Sequence, residues 1–376
     1  MSKKKIIFVT STRADYGKLK SIILKLQKDK KMIVKVFVTG SHNMNLYAKT
    51  VEEIKKDKIK NLNIFKNQGL STSMSKILIN TIRGFSNYIE KEKPTLVILH
   101  GDRVEPLACA ISSLLLNIKI AHVEGGEVSG TVDEMLRHAI SKLSHIHFVS
   151  NKIAKNRLLQ MGEDKKSIFV VGSPDVDLIL SKNLPDLDTV RKRYGINYDK
   201  YAISILHPVT TNIENVKIES KNYFEALKQT KTNYVVIYPN NDLGSNYIFD
   251  QIRKLKKKPN FSVLPSLRFE FFLTLLKNSS FIIGNSSCGI MEAPYYGVPT
   301  INVGNRQKNR LKSKSLININ FTKKKIITAI KFAQQHKTPK LKYFGNGKSS
   351  LKINKIINSK KFWDVQLQKG FIDFIK

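Results

Sequence analysis

280-SFIIGNSSCGIMEAPYYGVPTINVGNRQKNR-310 holds two short apolar runs, "SFIIG" and "PTINVG", on either side of a segment of helical composition. A run of about five residues bounded by glycine or proline reads as a strand buried on both faces, and two such strands around a helix make one βαβ unit of a parallel sheet. The first strand stops at Gly284, and the small residues Asn285, Ser286, Ser287 and Gly289 open a helix that carries Glu292 about one turn inside it. Free backbone N–H groups at a helix start suit a diphosphate. Glu292 is then placed to accept from two ribose hydroxyls, and Arg306, on the next strand-end loop, offers a planar fork to a phosphate.

The same rhythm extends outward. "KIIFVT", "VKVFVT", "TLVILH", "KIAHV", "HIHFVS" and "SIFVVG" come first, then "AISIL", "NYVVIY" and "FSVLP", each separated by amphipathic helical stretches. The pattern pauses at 172-GSPDVDLILSKNLPDLDTVRKRYG-195, which places a boundary near residues 173 to 190. The expected class is α/β, with a Rossmann-like doubly wound domain over 1–175, a second over 190–358, and the two facing a central cleft. Phe362, Leu367, Phe371 and Phe374 stand at roughly helical spacing, so a terminal helix over 359–376 is expected to join the first domain.

Composition agrees with this class. A chain of 376 residues is longer than one core usually serves, and 41% hydrophobic content makes it globular. Cys109 and Cys288 lie in apolar or small-residue surroundings, which suits buried thiols in the cytoplasm better than a disulfide framework. The apolar run after the basic N-terminus is short and turns polar, which reads as a strand and not a signal peptide. No stretch approaches the roughly 20 apolar residues of a membrane span. The formal charge of +36 raises the question of nucleic acid. Lysine is scattered over nearly every helix with no basic stripe or interleaved aromatics, so neither nucleic acid nor a membrane is the expected partner.

In parallel sheets ligands sit beyond the carboxyl ends of strands, and the residues there are polar. "STRADYGK" follows the first strand, with Arg13 opening a helix that lacks the glycine fingerprint of dinucleotide folds. "GDR" places Asp102 and Arg103 after "LVILH". "HVEGGEVSGTVDEMLRH", residues 122–138, puts Glu124 at a strand end, two glycines after it, and Asp133 near the start of a helix. Thr131 and Glu134 have capping-box spacing, so Glu134 reads as structural. In the second half the strand ends offer His207, a candidate for catalysis, then Asn240 and Arg268. "DVD" at 175–177 and "DLD" at 186–188 look like metal-binding carboxylates, but Ser-Pro followed by acids is a helix start and no metal is expected there.

Taken in order, "TSTRADYGKLK", "GDR", "HVEGGEVSGTVDEMLRHAISKLSHIH", "GSPDVD", "HPVTT", "YPNND", "PSLRFEFF" and "GNSSCGIMEAPYYGVPTINVGNRQ" resemble the hydrolysing UDP-N-acetylglucosamine 2-epimerases of sialic-acid biosynthesis. The resemblance implies a GT-B fold and conversion of UDP-N-acetylglucosamine and water to N-acetylmannosamine and UDP, with no metal or nicotinamide cofactor. It implies that Arg13 and Arg103 meet the substrate, that His207, Asn240, Ser286, Ser287, Glu292 and Arg306 contact the UDP moiety, and that Asp102, Glu124 and Asp133 serve the chemistry. Gly17 departs from the human relative, which has serine after "RADY". A UDP-2,4-diacetamido-2,4,6-trideoxy sugar, a non-hydrolysing epimerase, a glycosyltransferase and a polyanion-binding protein stand as alternatives. A UDP-sugar partner and a homo-oligomer, dimer or tetramer, are expected.

Overall fold

A computed structural model describes residues 3–47, 49–69, 72–311 and 313–373. The chain divides into two compact units, one of residues 1–127, 133–181 and 343–376, the other of 128–132 and 182–342. The break after 181 falls inside the proline-and-acid segment. Residues 343–358, expected with the second domain, belong to the first unit.

Unit 1 contains strands β1 (Lys4–Thr10), β2 (Met32–Val38), β3 (Leu62–Ile64), β4 (Leu96–His100), β5 (Lys119–Val123), β6 (Ile146–Val149) and β7 (Ile168–Val170). They form one sheet in the order β3-β2-β1-β4-β5-β6-β7, and every pairing in it is parallel. Unit 2 adds β8 (Ala202–Ile205), β9 (Tyr234–Ile237), β10 (Phe261–Leu264), β11 (Ile282–Gly284), β12 (Thr300–Val303) and β13 (Leu316–Ile319), ordered β10-β9-β8-β11-β12-β13 and again parallel. The order reverses between β1 and β4 in one sheet and between β8 and β11 in the other. Crevices for ligands open beyond the carboxyl ends of strands at such points.

The central strands read directly from sequence because both faces are apolar: in unit 1 Ile6, Phe8, Leu96 and Ile98 enter one core, and Ile7, Val9, Val97 and Leu99 enter another. β3 and β13 escaped that reading. Both are edge strands of three or four half-exposed residues, where one-sided burial leaves no continuous apolar run.

The C-terminal segment joins unit 1 through packing and capping together. Ile353 and Ile357, on helix Ser349–Ile357, and Phe362 enter the same core as Leu19 and Ile22. Both oxygens of Asp177 accept from the backbone N–H groups of Ser349 and Ser350, at 2.8 Å each. The expected terminal helix shrinks to Lys360–Trp363. Beyond it the chain is irregular, Phe371 is 86% exposed, and Phe374 lies outside the described residues. Helical spacing of apolar residues makes a helix only where that face is buried, and the exposed Phe371 gives this segment no such face. Among the described residues no helix is long and apolar enough to cross a membrane.

Candidate active site

Unit 1 concentrates buried charge at the reversal point of its sheet. Helix Arg13–Gln27 starts with a capping box: Thr12 Oγ1 accepts from the Asp15 N–H at 3.2 Å, and Asp15 Oδ2 accepts from the Thr12 N–H at 3.1 Å. Its other oxygen, Oδ1, lies 3.3 Å from Nδ1 of His100, the last residue of β4. The opposite nitrogen of that ring, Nε2, lies 3.1 Å from Glu124 Oε2. Lys18, one turn into the same helix, reaches both Glu124 oxygens at 3.0 and 3.2 Å and Asp175 Oδ2 at 3.2 Å. Ser173 Oγ donates within the same group, contacting Glu124 and Asp175.

Electrostatics follow from this arrangement. Burial alone would raise Glu124, but Lys18, His100 and Ser173 outweigh it and hold the carboxyl well below its ordinary range. Burial also opposes charge on Asp15, yet the hydrogen bond from His100 leaves it lowered to about 2. For His100, burial is overcome by Asp15 and Glu124, and its pKa rises to about 8. His122 and His42, buried without such partners, fall to about 3 and about 4.

A pH prediction follows. His100 has its folded pKa raised above the ordinary 6.5, so its contribution to stability is complete below pH 6.5 and is lost as pH rises through about 8. The expected size is about 2 kcal/mol. His42 and His122, with lowered values, act in the opposite sense and only below pH 6.5. Thermal melts between pH 6.5 and 8.5 should therefore show a decline that His100→Gln abolishes. An unchanged slope in that variant would remove the assignment.

Glu124 itself stands at φ +65, a left-handed conformation that is costly for a non-glycine residue. The two glycines after it serve close packing. A Cβ on Gly126, at φ +75, would stand 2.3 Å from the Ala154 carbonyl oxygen. Glu127, unassigned by sequence, is buried and accepts from Ser150 and from Asn151 Nδ2 at 3.1 Å, which latches the loop to the end of β6.

Asp102 has a different partner. Buried Arg137, on helix Val132–Leu143, contacts Asp102 Oδ2 and donates to the Glu127 carbonyl at 3.0 Å. Asp102 keeps about a quarter of its side chain exposed. Arg103 Nε lies 3.6 Å from Glu105 Oε2. Arg13 likewise pairs with Glu53 at 2.6 Å. Asp133 is half-buried in the first turn of its helix, and Glu134 lies 3.6 Å from His138 one turn on.

In unit 2 the reversal point is organised by Asn285, which is fully buried. Its Oδ1 accepts from the His207 N–H at 2.7 Å, and its Nδ2 donates to the His207 carbonyl at 2.8 Å, tying the end of β11 to the end of β8. The Asn285 carbonyl accepts from Arg306 Nη1 at 3.3 Å and Gln307 Nε2 at 3.1 Å. The Asn240 backbone N–H donates to His207 Nδ1 at 3.0 Å. Because a backbone amide can only donate, Nδ1 carries no proton, and His207 presents Nε2–H as a donor.

The helix after Gly284 differs from expectation. It comprises two single turns, Cys288–Met291 and Ala293–Tyr296, with buried Glu292 at the break and Pro294 behind it. Proline removes a backbone donor and clashes with the preceding turn, so the segment cannot run as one helix. Local N–H groups near Ser286 and Ser287, and not a long macrodipole, remain for an anion. Gly289 answers to packing, since a Cβ there would meet Thr300 Cγ2 at 2.5 Å. Cys288 is no nucleophile: burial, with Glu292 adding, pushes its thiol up to about 12. Arg268 precedes helix Phe269–Lys277 and pairs with Glu270 at 3.2 Å.

Asp175 and Asp177 serve Lys18 and the N-terminus of helix Ser349–Ile357, and Asp186 caps helix Leu187–Tyr194 by accepting from the Thr189 N–H at 2.8 Å. Among the described residues no three His, Cys, Asp or Glu side chains gather to hold a metal ion.

The UDP-N-acetylglucosamine 2-epimerase family model matches residues 24–358. A UDP-N-acetylglucosamine 2-epimerase of Neisseria meningitidis is 42% identical over 98% of this chain and 99% of its own length. A hydrolysing UDP-N,N'-diacetylbacillosamine 2-epimerase of Legionella pneumophila is 38% identical over 95% of this chain and 96% of its own. The crystal structure of Methanocaldococcus jannaschii UDP-GlcNAc 2-epimerase, in complex with UDP-GlcNAc and UDP, aligns with a TM-score of 0.79 at 26% identity, covering 94% of this chain and 99% of that one. Its likeness makes the two parallel-sheet units GT-B-like. Two such sheets, with polar groups gathered at both reversal points, and a family match over most of the length lead to one conclusion: this chain belongs to the UDP-N-acetylglucosamine 2-epimerase family.

Proposed function

We propose that the protein is a hydrolysing 2-epimerase that converts UDP-N-acetylglucosamine and water to N-acetylmannosamine and UDP. The observation that carries the chemistry is the contrast between two carboxylates after adjacent strands. Glu124 is buried, fully engaged by donors and ionised, whereas Asp102 is tied at one oxygen to Arg137 and keeps an open side. Carboxylates in unlike environments can take unlike roles at one pH.

The C2 hydrogen is barely acidic, so departure of UDP from C1, with the C1–O electron pair, must lead. Glu124 stabilises the positive charge that develops on the ring. Asp102 takes the C2 proton, which leaves a C1–C2 double bond in a 2-acetamidoglucal. Water, giving its proton to Asp133, then supplies hydroxyl to C1, C2 takes a solvent-derived proton on the opposite face, and Asp102 returns the proton it holds to solvent. His207 Nε2–H, Asn240, Arg268, Ser286, Ser287, Glu292 and Arg306 serve the nucleotide, and Arg13 and Arg103 serve the substrate.

Incubation with UDP-N-acetylglucosamine in heavy water, followed by NMR, tests this reading. Free N-acetylmannosamine deuterated at C2, together with UDP, is the expected outcome. UDP-N-acetylmannosamine would show a non-hydrolysing enzyme. The Legionella relative favours a second reading, a UDP-2,4-diacetamido-2,4,6-trideoxy sugar as substrate. A higher kcat/KM on that sugar would establish it.

A further inference from the structure

We propose that Asp175, acting through Lys18 and Ser173, is a positioning residue for Glu124 and supplies the excess negative charge of the group around it. This rests on the reading of Glu124 as the anion that stabilises the sugar cation. "SPDVD" is a helix start by sequence, and an acid in a helix's first turn normally serves the N–H groups of its own helix. Asp175 turns elsewhere. Its carboxylate is fully buried, with Oδ2 3.2 Å from Lys18 Nζ and Oδ1 on the Ser173 hydroxyl.

Both partners are shared with Glu124: the Lys18 ammonium ion-pairs with Asp175 and donates to Glu124, and the one Ser173 hydroxyl proton lies between the two carboxylates. Lys18 and Ser173 thus bridge two carboxylates from separate segments of unit 1, the loop after β5 and the start of helix Asp175–Ile179. Lys18 and Ser173 together reach both oxygens of Glu124, a residue whose backbone is already held in a left-handed conformation. Strain of that kind persists only where surroundings over-determine it.

Charge gives Asp175 its second role. The groups that face Glu124 are Lys18 and, through His100, Asp15 from helix Arg13–Gln27, His100 from β4, His122 from β5, and Ser173 and Asp175; Arg103 acts on Asp15. With His100 protonated and His122 neutral, Lys18 and His100 balance Asp15 and Glu124. Asp175 leaves the group with one negative charge in excess. That charge favours an oxocarbenium-like sugar without engaging the nucleotide.

The test compares wild type with Asp175→Asn, using UDP release for kcat and KM and NMR titration of the His100 imidazole without substrate. The proposal expects kcat to fall roughly 10- to 100-fold with KM nearly unchanged. It also expects the His100 midpoint to fall, because an anion is lost and Lys18 turns wholly to Glu124. Unchanged kcat overturns the proposal, as does a fall in kcat with an unmoved His100 midpoint, which would mark a merely structural effect. If wild type releases no UDP while the His100 midpoint still moves, the electrostatic coupling stands and the assigned reaction fails. Ser173→Ala provides a second arm should Asp175→Asn not fold, with a smaller loss of kcat at constant KM expected and no loss counting against the proposal.

Discussion

Glu124→Gln is expected to lower kcat roughly 10²- to 10³-fold, the usual loss when one preorganised electrostatic group is removed from a developing charge. The substitution keeps shape and the left-handed backbone but turns an acceptor of four contacts, two from Lys18 and one each from His100 and Ser173, into a neutral amide. The amide nitrogen can only donate, so it opposes one of those donors. KM should change little, because the groups assigned to the nucleotide stand on other strand ends. Product formed in heavy water should still carry deuterium at C2, because Asp102 remains. Wild-type turnover in this variant would remove Glu124 from the mechanism.

Gly284→Ala is expected to destabilise unit 2 by about 3 kcal/mol or more, from backbone strain and a clash that neighbouring atoms cannot relieve. Gly284 has φ +135, and a Cβ there would stand 1.8 Å from the Ile205 carbonyl oxygen and 2.6 Å from its carbon. Ile205 is the residue with which Gly284 is in register across β8 and β11. These strands end one residue before Asn285 and two before His207. Forcing them apart therefore also separates the Asn285 side chain from the His207 backbone. A thermal melt should show Tm lowered by roughly 6–12 °C for a unit of this size. UDP affinity, read by calorimetry, should fall with it. A variant with native Tm and native UDP affinity would show that the strand ends accommodate a side chain.

Glu124 and Asn285 illustrate how much of the site was legible. Glu124 was visible because an acid at a strand end, before two glycines, had no helix to cap. Asn285 was visible only as one small residue among several, since its value lies in reaching both backbone groups of a residue 78 positions away. His100, Asp15, Lys18 and Asp175 gave weaker signals still. His100 completes a strand, Asp15 is the N3 partner of a capping box, and Asp175 starts a helix, so each had a sufficient local explanation. None of those local readings is wrong for the backbone. They omit where the rest of each side chain goes.

By itself the sequence determined the α/β class, the parallel strands apolar on both faces, the polar strand-end loops and the family, because these depend on local periodicity and on short motifs in a fixed order. Only the tertiary structure decided that residues 343–358 belong with the first unit, that the helix after Gly284 breaks at Glu292, and that Arg137 holds Asp102. It also decided that Asp175 shares Lys18 and Ser173 with Glu124. The physical reason is range. Backbone propensity is settled within a few residues, whereas the partner of a buried charge is chosen by chain segments that meet only after the sheet has assembled.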